Sequence, residues 1–465
     1  MNSSSMKIKL TILTCSLLLS SSIALAESTT DKTTTTAPQK SYDLLAVYNI
    51  AQKDNASYNA AVATFHANQQ NVPISLGALL PNVQLQTGLQ YNYAQDPGAG
   101  KKTNYTSVNP NPMITLTQSV FDWALWKTYT QSQYQFKADA MTLAQNRQQL
   151  ILNTATSYFN ILQAQDQLRF AKANVNWNKQ LLDQTEQKFK VGISAITDVQ
   201  SSKANYENAV AQYVKNENTL KNAYNTLYQI TGKKINSIDE LKDDFPFNKP
   251  SPDNANDWVK TALMSNLLLI QSRFNLQASE EGIDVAWGAF IPSANFTVTG
   301  NRTLNYQTAN LGGVSTANAG INVTWNVLNG GSDYATLKQA KYTSVASQQT
   351  LEQNVRDTES QTTQSYLNVV SDISQVNALH QSVVANESSV RAMKAGYNVG
   401  TQTIVDLLNR QQILFDTQQQ YALARYSYIN GLLTLKQQAG TLTIKDIENI
   451  NQWLDNQKNS TYSGT

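Results

Sequence analysis

The chain has 465 residues, of which 41% are hydrophobic and 15% are charged, and its formal net charge is +2. This near-neutral balance gives no indication of a nucleic-acid partner, which would require a concentrated basic surface. The single cysteine, Cys15, lies close to the N-terminus, so the rest of the chain has no disulfide and must fold through packing alone.

The N-terminal 26 residues have the pattern of a cleaved secretory signal. Two lysines precede an apolar run at residues 10–19, and Ala24-Leu25-Ala26 provides a small-residue cleavage site. The run is shorter than the roughly 20 apolar residues that a membrane-spanning helix needs. Cys15 lies inside this run rather than after it, which argues against a lipoprotein signal. Residues 27–40 are polar and Thr-rich and are predicted to form a disordered leader.

Residues 41–235 begin with a helix and a pair of strands. The stretch from Tyr42 to Asn71 contains no Pro or Gly, which favours a helix. After Pro81, apolar and polar residues alternate up to Tyr93, and a second alternating stretch covers residues 114–120. A period of two predicts strands with one apolar and one polar face. The intervening loop is rich in Gly and Pro.

Two further helices are predicted to complete this unit. No Pro or Gly interrupts residues 123–191, so a helix about 100 Å long is expected there. A returning helix is predicted over residues 198–230. The early and the returning helix are each about half as long as the long one. Stacked end to end, they would lie beside it along its whole length in a coiled-coil layer.

Residues 257–440 repeat the same order of elements. Alternating stretches lie at residues 295–305 and 321–327, and helices are predicted over residues 332–394 and 405–438. Matching positions occur in one register, which makes two unrelated hairpins improbable and indicates an internal tandem duplication. The matches include Phe189 to Gly192 with Tyr397 to Gly400, Asp198 with Asp406, Gly232 with Gly440, and Tyr158 with Tyr366.

The remaining segments are predicted to connect and follow the two repeats. Residues 236–256, which are rich in Pro, form the linker between the first repeat (41–235) and the second repeat (257–440). Residues 441–465 form a C-terminal segment and tail. Together the linker and the C-terminal segment are expected to make a small equatorial collar around the helices.

The strand pattern predicts a closed barrel made by several chains. Each repeat provides two strands, and a sheet of four strands has two open edges that lipid cannot satisfy. Three chains would provide 12 strands, an even number typical of outer-membrane barrels. The expected fold class is therefore an α+β membrane protein, in which a trimeric 12-stranded β-barrel continues into a long coiled-coil tube of α-helices.

Aromatic residues flank the strands at both ends, as membrane interfaces favour. Their alternative role is to fill a packed junction between strands and helices, and the two roles are compatible. At the helix-proximal end they are Phe121, Trp123, Trp126, Trp287, Phe290 and Trp325, and at the opposite end Tyr91, Tyr93 and Tyr306.

The segment from Tyr397 to Asn409, with the sequence Tyr-Asn-Val-Gly-Thr-Gln-Thr-Ile-Val-Asp-Leu-Leu-Asn, resembles the TolC-type outer-membrane efflux family. The segment from Val191 to Gln200 resembles that family's other signature. The ordered set of motifs, including Trp325 to Gly331, covers nearly the whole chain after the signal. The resemblance implies a homotrimer in the outer membrane that works with a periplasmic adaptor protein and an inner-membrane pump or ABC transporter. It implies no cofactor, no metal and no chemistry.

The resemblance also implies a gate at the periplasmic tip. Thr197 and Asp198 correspond to members of a polar lock, and Tyr397 to the tyrosine that bonds to the aspartate. Gln402 stands where the family prototype has an Arg, so a charged link becomes at best a neutral hydrogen bond, which is about half as strong. Gly192 and Gly400 fit the left-handed position that ends a helix.

A constriction ring is implied at Asp406. Asn409 replaces the second aspartate of the family prototype, so a trimer would present three carboxylates from position 406 only. The local alternative is a capping box, because Thr403 precedes Asp406 by three residues at the start of a helix. Three-fold symmetry would bring the copies together in either case.

Two other protein classes, an enzyme and a periplasmic adaptor, fit the sequence less well than an exit duct does. An enzyme is disfavoured, because His66 and His380 are the only histidines and no nucleophile elbow or phosphate-binding loop is present. A periplasmic coiled-coil adaptor without a pore would account for the signal and the helices. It would not account for two alternating strand pairs flanked by aromatic residues.

Overall fold

A computed structural model of the chain describes residues 41–96, 103–307 and 310–455. The predicted signal (1–26), the leader (27–40) and the residues after 455 lie outside this part. Among the described residues, no helix combines the length and the apolar character that crossing a membrane requires.

The first repeat follows the predicted order, but its early helix consists of three pieces. Asn55 ends α1 and caps α2, because its side-chain oxygen accepts a hydrogen bond from the backbone N–H of Tyr58 (2.8 Å). The elements are α1 (Leu44–Asp54), α2 (Ala56–Gln69), α3 (Asn71–Gly77), β1 (Asn82–Gln86), β2 (Leu89–Asp96), β3 (Thr103–Pro110), β4 (Met113–Phe121), α4 (Trp123–Lys190) and α5 (Ile196–Thr231).

The second repeat has the same plan with fewer interruptions. Its early helix has one break, at Asn266, and its strands are continuous. The elements from the linker onward are β5 (Glu240–Leu241), α6 (Ala255–Ser265), α7 (Leu267–Trp287), a 3-10 turn (Gly288–Phe290), β6 (Ser293–Gln307), β7 (Asn310–Thr324), α8 (Ser332–Asn398), α9 (Ile404–Gln438), α10 (Ile444–Asn451) and β8 (Leu454–Asp455).

The large sheet has four antiparallel rows. β1 and β2 form one outer row, β4 and β3 the next, β6 the third and β7 the other outer row. The outer row is therefore broken between β1 and β2, where one continuous strand was predicted over residues 83–93, and the next row is broken between β4 and β3, where β3 occupies a stretch that was predicted as a loop. Pro112 explains one break, because it has no N–H to donate, although its carbonyl still accepts from the N–H of Arg302 (3.0 Å). At the other break, the carbonyl of Gly88 accepts from the N–H of Asn111 (3.0 Å).

The predicted stacking of half-length helices is confirmed in both repeats, and the same residue type makes each joint. α4 has 68 residues, and α5 beside it has 36. The side-chain amide of Asn55 donates to the carbonyl of Ile230 near the end of α5 (2.9 Å). In the second repeat the amide of Asn266 donates to the carbonyl of Gln438 at the end of α9 (2.7 Å). Each joint thus caps one helix and binds the end of another.

The main hydrophobic core lies where these joints, the linker and the C-terminal segment meet. The short β5 and β8 pair with each other, and Ile238, Leu241 and Ile447 are buried against the long helices. The fully buried Tyr158 donates to the carbonyl of Asp239 (2.8 Å). The linker and the C-terminal segment are therefore packed parts of the helical layer at its middle.

A buried polar contact links the two repeats in this core. The hydroxyl of Tyr426 on α9 donates to the carboxylate of Asp166 on α4 (2.8 Å). Burial, together with the neighbouring Asp166 carboxylate, raises the pKa of the Tyr426 hydroxyl well above its usual value. The neutral form of Tyr426, which donates the hydrogen bond, is therefore favoured.

Candidate functional site

The residues of the predicted gate lie in, or next to, the two turns that end the long helices. Residues 191–195, the first turn, connect α4 to α5, and residues 399–403, the second turn, connect α8 to α9. α4 begins directly after the sheet and has 68 residues, while α8 has 67. At a rise of about 1.5 Å per residue, both turns lie about 100 Å from the sheet along the helices.

The two turns have the same backbone conformation. Gly192 and Gly400 have φ angles of +76° and +80°, values that glycine adopts without the steric cost of a Cβ. Each turn closes its helix with the two hydrogen bonds of a Schellman motif. These backbone bonds run from Ile193 to Lys188 (2.9 Å) and Gly192 to Phe189 (2.9 Å) in the first turn, and from Thr401 to Gly396 (2.9 Å) and Gly400 to Tyr397 (3.2 Å) in the second.

Asp198 is bonded within its own turn. Its carboxylate accepts from the hydroxyl of Ser194 (2.8 Å) and, more weakly, from the backbone N–H of Ala195 (3.4 Å). Both bonds close the start of α5, where a negative charge is favoured. The neighbouring Thr197 is exposed.

Asp406 and Thr403 form one half of the capping box that their spacing predicted, the side-chain cap by Thr403, and the Asp406 carboxylate bonds to the Thr403 hydroxyl rather than to its backbone N–H. The hydroxyl of Thr403 donates to the Asp406 carboxylate (2.6 Å) and accepts from the Asp406 backbone N–H (3.2 Å). Asp406 and Asn409 are both exposed at the start of α9. A local structural role for Asp406 is therefore present in the single chain.

A small hydrophobic core, called here the tip cluster, lies beside the second turn and joins the two repeats. Its buried members are Leu181 from α4 and Ile404, Leu407 and Leu408 from α9, and Trp177, Met393 and Tyr397 pack around them. Leu407 has no exposed surface. The tip is therefore a packed contact between the first and second repeats, supplied mainly by the second.

The side chain of Tyr397 lies against α4. The Nζ atom of Lys188 lies 4.0 Å from the centroid of the Tyr397 ring, well inside the range of a cation–π interaction. No hydrogen bond between Tyr397 and Asp198 is found within residues 41–96, 103–307 and 310–455. The predicted lock between these two side chains thus stays a prediction.

Gln402 occupies space that a glycine provides. A Cβ at Gly396 would lie 2.7 Å from Cγ of Gln402, so the Gln402 side chain packs directly on the Gly396 backbone.

The sequence did not single out Lys188 or the apolar members of the tip cluster. Lys188 and Tyr397 are far apart along the chain, and a lysine near a helix end is usually explained by the helix dipole alone.

The aromatic residues at the helix-proximal end of the sheet combine exposure with packing. The indole N–H of Trp123 donates to the carbonyl of Asp284 on α7 (3.1 Å), which fixes the junction between α4 and α7. Trp325 donates to the carbonyl of Phe290 (3.2 Å), although 59% of its own surface is exposed. The other exposed members of this set are Phe121, Trp126, Trp287 and Phe290.

At the opposite end of the sheet, Tyr91 and Tyr93 are exposed. The side chain of Tyr306 lies outside the part of the chain that the structure describes. The placement of all these rings at membrane interfaces therefore stays a prediction.

A metal site is not found in the described residues. They contain no group of three or more His, Cys, Asp or Glu side chains that could hold a metal ion. His66 is exposed on α2, with Nδ1 3.4 Å from Oε1 of Gln69, and the His380 ring lies 5.5 Å from that of Tyr421.

Comparison with known proteins gives a consistent result. Residues 47–233 and 258–441 match the family described as "Outer membrane efflux protein". "Outer membrane protein TolC" of Escherichia coli (strain K12) is 33% identical over 427 residues, which cover 89% of this chain and 85% of the relative. "Proteases secretion protein PrtF" of Dickeya chrysanthemi is 23% identical over 419 residues, covering 88% of this chain and 90% of the relative.

Solved structures show the same fold. The CmeC outer membrane channel of Campylobacter jejuni superimposes with a TM-score of 0.74 at 18% identity, covering 93% of this chain and 98% of that chain. The outer-membrane channel OprN gives a TM-score of 0.74 at 17% identity, covering 86% and 90% of the two chains.

Proposed function

Because the chain belongs to the outer membrane efflux protein family, we propose that passage through it is controlled where the first and second turns meet at the tip of the helices. The protein is an outer-membrane exit duct, with its sheet in the membrane and its helices in the periplasm. The alternative of a periplasmic adaptor without a pore is not supported, because the relatives of this chain are outer-membrane channels and secretion proteins.

The observation that carries this function is the exposed apolar face of the sheet. Leu85, Leu89, Ile321 and Val323 each expose 65–79% of their surface. A face of this kind needs a lipid environment or a partner to be stable. The outer rows of the sheet also leave two edges open, which pairing between three chains closes into the 12-stranded barrel of this fold.

Cell fractionation tests the exit duct. The protein is expected in the outer-membrane fraction as a trimer that resists dissociation by detergent. Monomeric protein in the periplasmic fraction would contradict this function and favour an adaptor.

The duct is proposed to work with a periplasmic adaptor and an inner-membrane pump or ABC transporter. The family is described as outer membrane efflux proteins, and in this proposal the pump or transporter supplies the energy for passage through the duct. The relative PrtF is named for protease secretion, whereas the family is named for efflux. Deletion of the gene, followed by measurement of drug sensitivity and of the secreted proteome, separates small-molecule efflux from protein secretion.

The lock is proposed to involve Thr197, Asp198, Tyr397 and Gln402. In the single chain, Asp198 is bonded within its own turn and Tyr397 faces Lys188. A hydrogen bond between the Tyr397 hydroxyl and Asp198 would therefore have to form in the assembled trimer. Tyr397→Phe and Asp198→Ala are each expected to raise single-channel conductance in planar bilayers, and unchanged conductance in both variants would remove this lock.

The ring is proposed to consist of three Asp406 carboxylates, with Asn409 contributing no charge. Asp406→Ala should weaken block by multivalent cations added on the periplasmic side, because it removes the opposite charge that attracts them. Asp416→Ala is a matched control, since Asp416 is also exposed on α9 but lies about 15 Å further along the helix. Equal block in wild type and Asp406→Ala would rule out the ring.

A further inference from the structure

We propose that Lys188 is a positioning residue for the tip, holding the Tyr397 ring through a cation–π contact that ties the first repeat to the second. This proposal rests on the proposed gate and adds a residue to it. The observation behind it is the distance of 4.0 Å between Lys188 Nζ and the centroid of the Tyr397 ring.

Both partners are held in place by independent contacts. Tyr397 packs against the tip cluster, and its carbonyl accepts a hydrogen bond from Gly400 (3.2 Å). The Lys188 carbonyl accepts from Ile193 (2.9 Å), so the lysine lies on the last closed turn of α4. Each side chain is half-buried. The backbones of both residues are therefore fixed independently of the contact, and the main cost of forming it is the rotamer freedom of the Lys188 side chain.

Lys188 has no competing carboxylate in the described part of the chain. None of the ion pairs found there includes it. The aromatic face is thus the group that offsets the partial desolvation of the ammonium ion. Such contacts shift an equilibrium by about two- to five-fold at partly exposed sites.

The internal duplication does not repeat this contact with the roles of the two repeats exchanged. The duplication aligns Lys188 with Gly396 and Tyr397 with Phe189. Gly396 has no side chain with which to reach a ring, and its surface is covered by Gln402. Phe189 is 43% exposed. The second repeat therefore presents the ring, the first presents the cation, and the reciprocal pair is missing.

A set of four variants separates this contact from the hydroxyl lock. Tyr397→Phe removes the hydroxyl but keeps the ring, whereas Tyr397→Leu removes both. Lys188→Met removes the charge and keeps the length, whereas Lys188→Arg keeps a cation. Lys190→Met is the matched control, because Lys190 is exposed at the same end of α4 and the substitution removes the same charge.

The readout is the ratio of open to closed channels in planar bilayers. Lys188→Met should raise it about two- to five-fold per protomer, and Tyr397→Leu should raise it by that factor beyond the effect of Tyr397→Phe. Adding Lys188→Met to Tyr397→Leu should change little, since the ring that the lysine contacts has already been removed. Lys188→Arg and Lys190→Met should behave as wild type.

The outcomes are distinguishable from those of the proposed gate. If Tyr397→Phe opens the channel and Lys188→Met does not, the cation–π contact is overturned and the hydroxyl lock stands. If Lys188→Met opens the channel and Tyr397→Phe does not, the hydroxyl lock is overturned and the cation–π contact stands. A wild-type protein that forms no pores would overturn the duct. The contact would then be judged from hydrogen exchange in residues 399–403, which Lys188→Met accelerates if the contact exists and leaves unchanged if it does not.

Discussion

The first and second turns share a backbone but not their side-chain contacts. Both end their helix at a left-handed glycine and close with the same pair of hydrogen bonds. At the start of the next helix, the first turn uses Asp198 with Ser194, whereas the second uses Thr403 with Asp406. Duplication has thus kept the backbone geometry of the turn, while the side chains that can join neighbouring helices have diverged.

The difference extends to the packing beneath the turns. Leu407 in α9 is fully buried in the tip cluster, while Val199, at the matching position of α5, is also buried, with 9% exposure, but is not a member of that cluster. Ile404 is buried and its counterpart Ile196 is 51% exposed. The second turn is therefore anchored to the tip cluster, and the first turn is attached mainly through its own helices.

The largest expected effect comes from the anchor itself. Leu407→Ala should cost about 2–5 kcal/mol of local stability, because it leaves a cavity in a core that cannot fully collapse. Val199→Ala removes less buried surface and should cost clearly less. Hydrogen exchange of residues 404–412 and 196–204 measures both effects. Similar losses in the two variants would contradict the difference between the turns.

A smaller effect is expected at the glycines, and there the two turns should behave alike. Gly192→Ala and Gly400→Ala should each cost about 1–2 kcal/mol, since a Cβ disfavours the left-handed conformation. At either glycine, the added carbon would have no atom within 4 Å, so packing contributes nothing. Gly77→Ala also meets no atom and serves as the control. Unequal costs, measured by hydrogen exchange in residues 191–195 and 399–403, would show that the backbones are not equivalent.

The smallest effect is expected at the helix caps, with opposite signs in the two turns. Thr403→Ala should cost about 1 kcal/mol, because the Asp406 N–H loses its acceptor. Ala195→Thr, at the matching position, should stabilise the start of α5 by up to about 1 kcal/mol by adding the missing cap. Exchange rates of the Asp198 and Asp406 amides report both changes. A loss of stability in Ala195→Thr would mean that the bonds of Asp198 already exclude a cap.

The long elements could be predicted from the sequence because their signals are local. The absence of Pro and Gly predicted a helix over residues 123–191, and the helix observed is Trp123–Lys190. Alternation correctly predicted four strands. It did not reveal the break at Gly88, since the period of two continues across that residue, and it missed β3, because Pro110 and Pro112 marked this stretch as a loop.

The early helices show another limit of local signals. Asn55 and Asn266 cap new helices and bond to the ends of α5 and α9. In a chain whose polar positions are so often Asn or Gln, neither residue stands out. Their role depends on a helix end more than 170 residues away, which no local pattern contains.

The candidate site was predicted only in part for the same reason. Gly192, Gly400 and the Thr403–Asp406 pair follow from spacing within a few residues. The tip cluster and the contact between Lys188 and Tyr397 join different repeats. They become visible only once the fold brings α4 beside α8 and α9.

The pairing of an unbroken helix with two stacked shorter ones limits how the length of this duct can change in evolution. One residue inserted into α4 would rotate all later residues by about 100° and turn the buried face outward. Seven residues return that face to within about 20°. The joint at Asn55 lets the matching insertion fall on either side of it, in α1–α3 or in α5. Related ducts that differ in tunnel length should therefore differ in steps of about 10 Å, made together in both layers of both repeats.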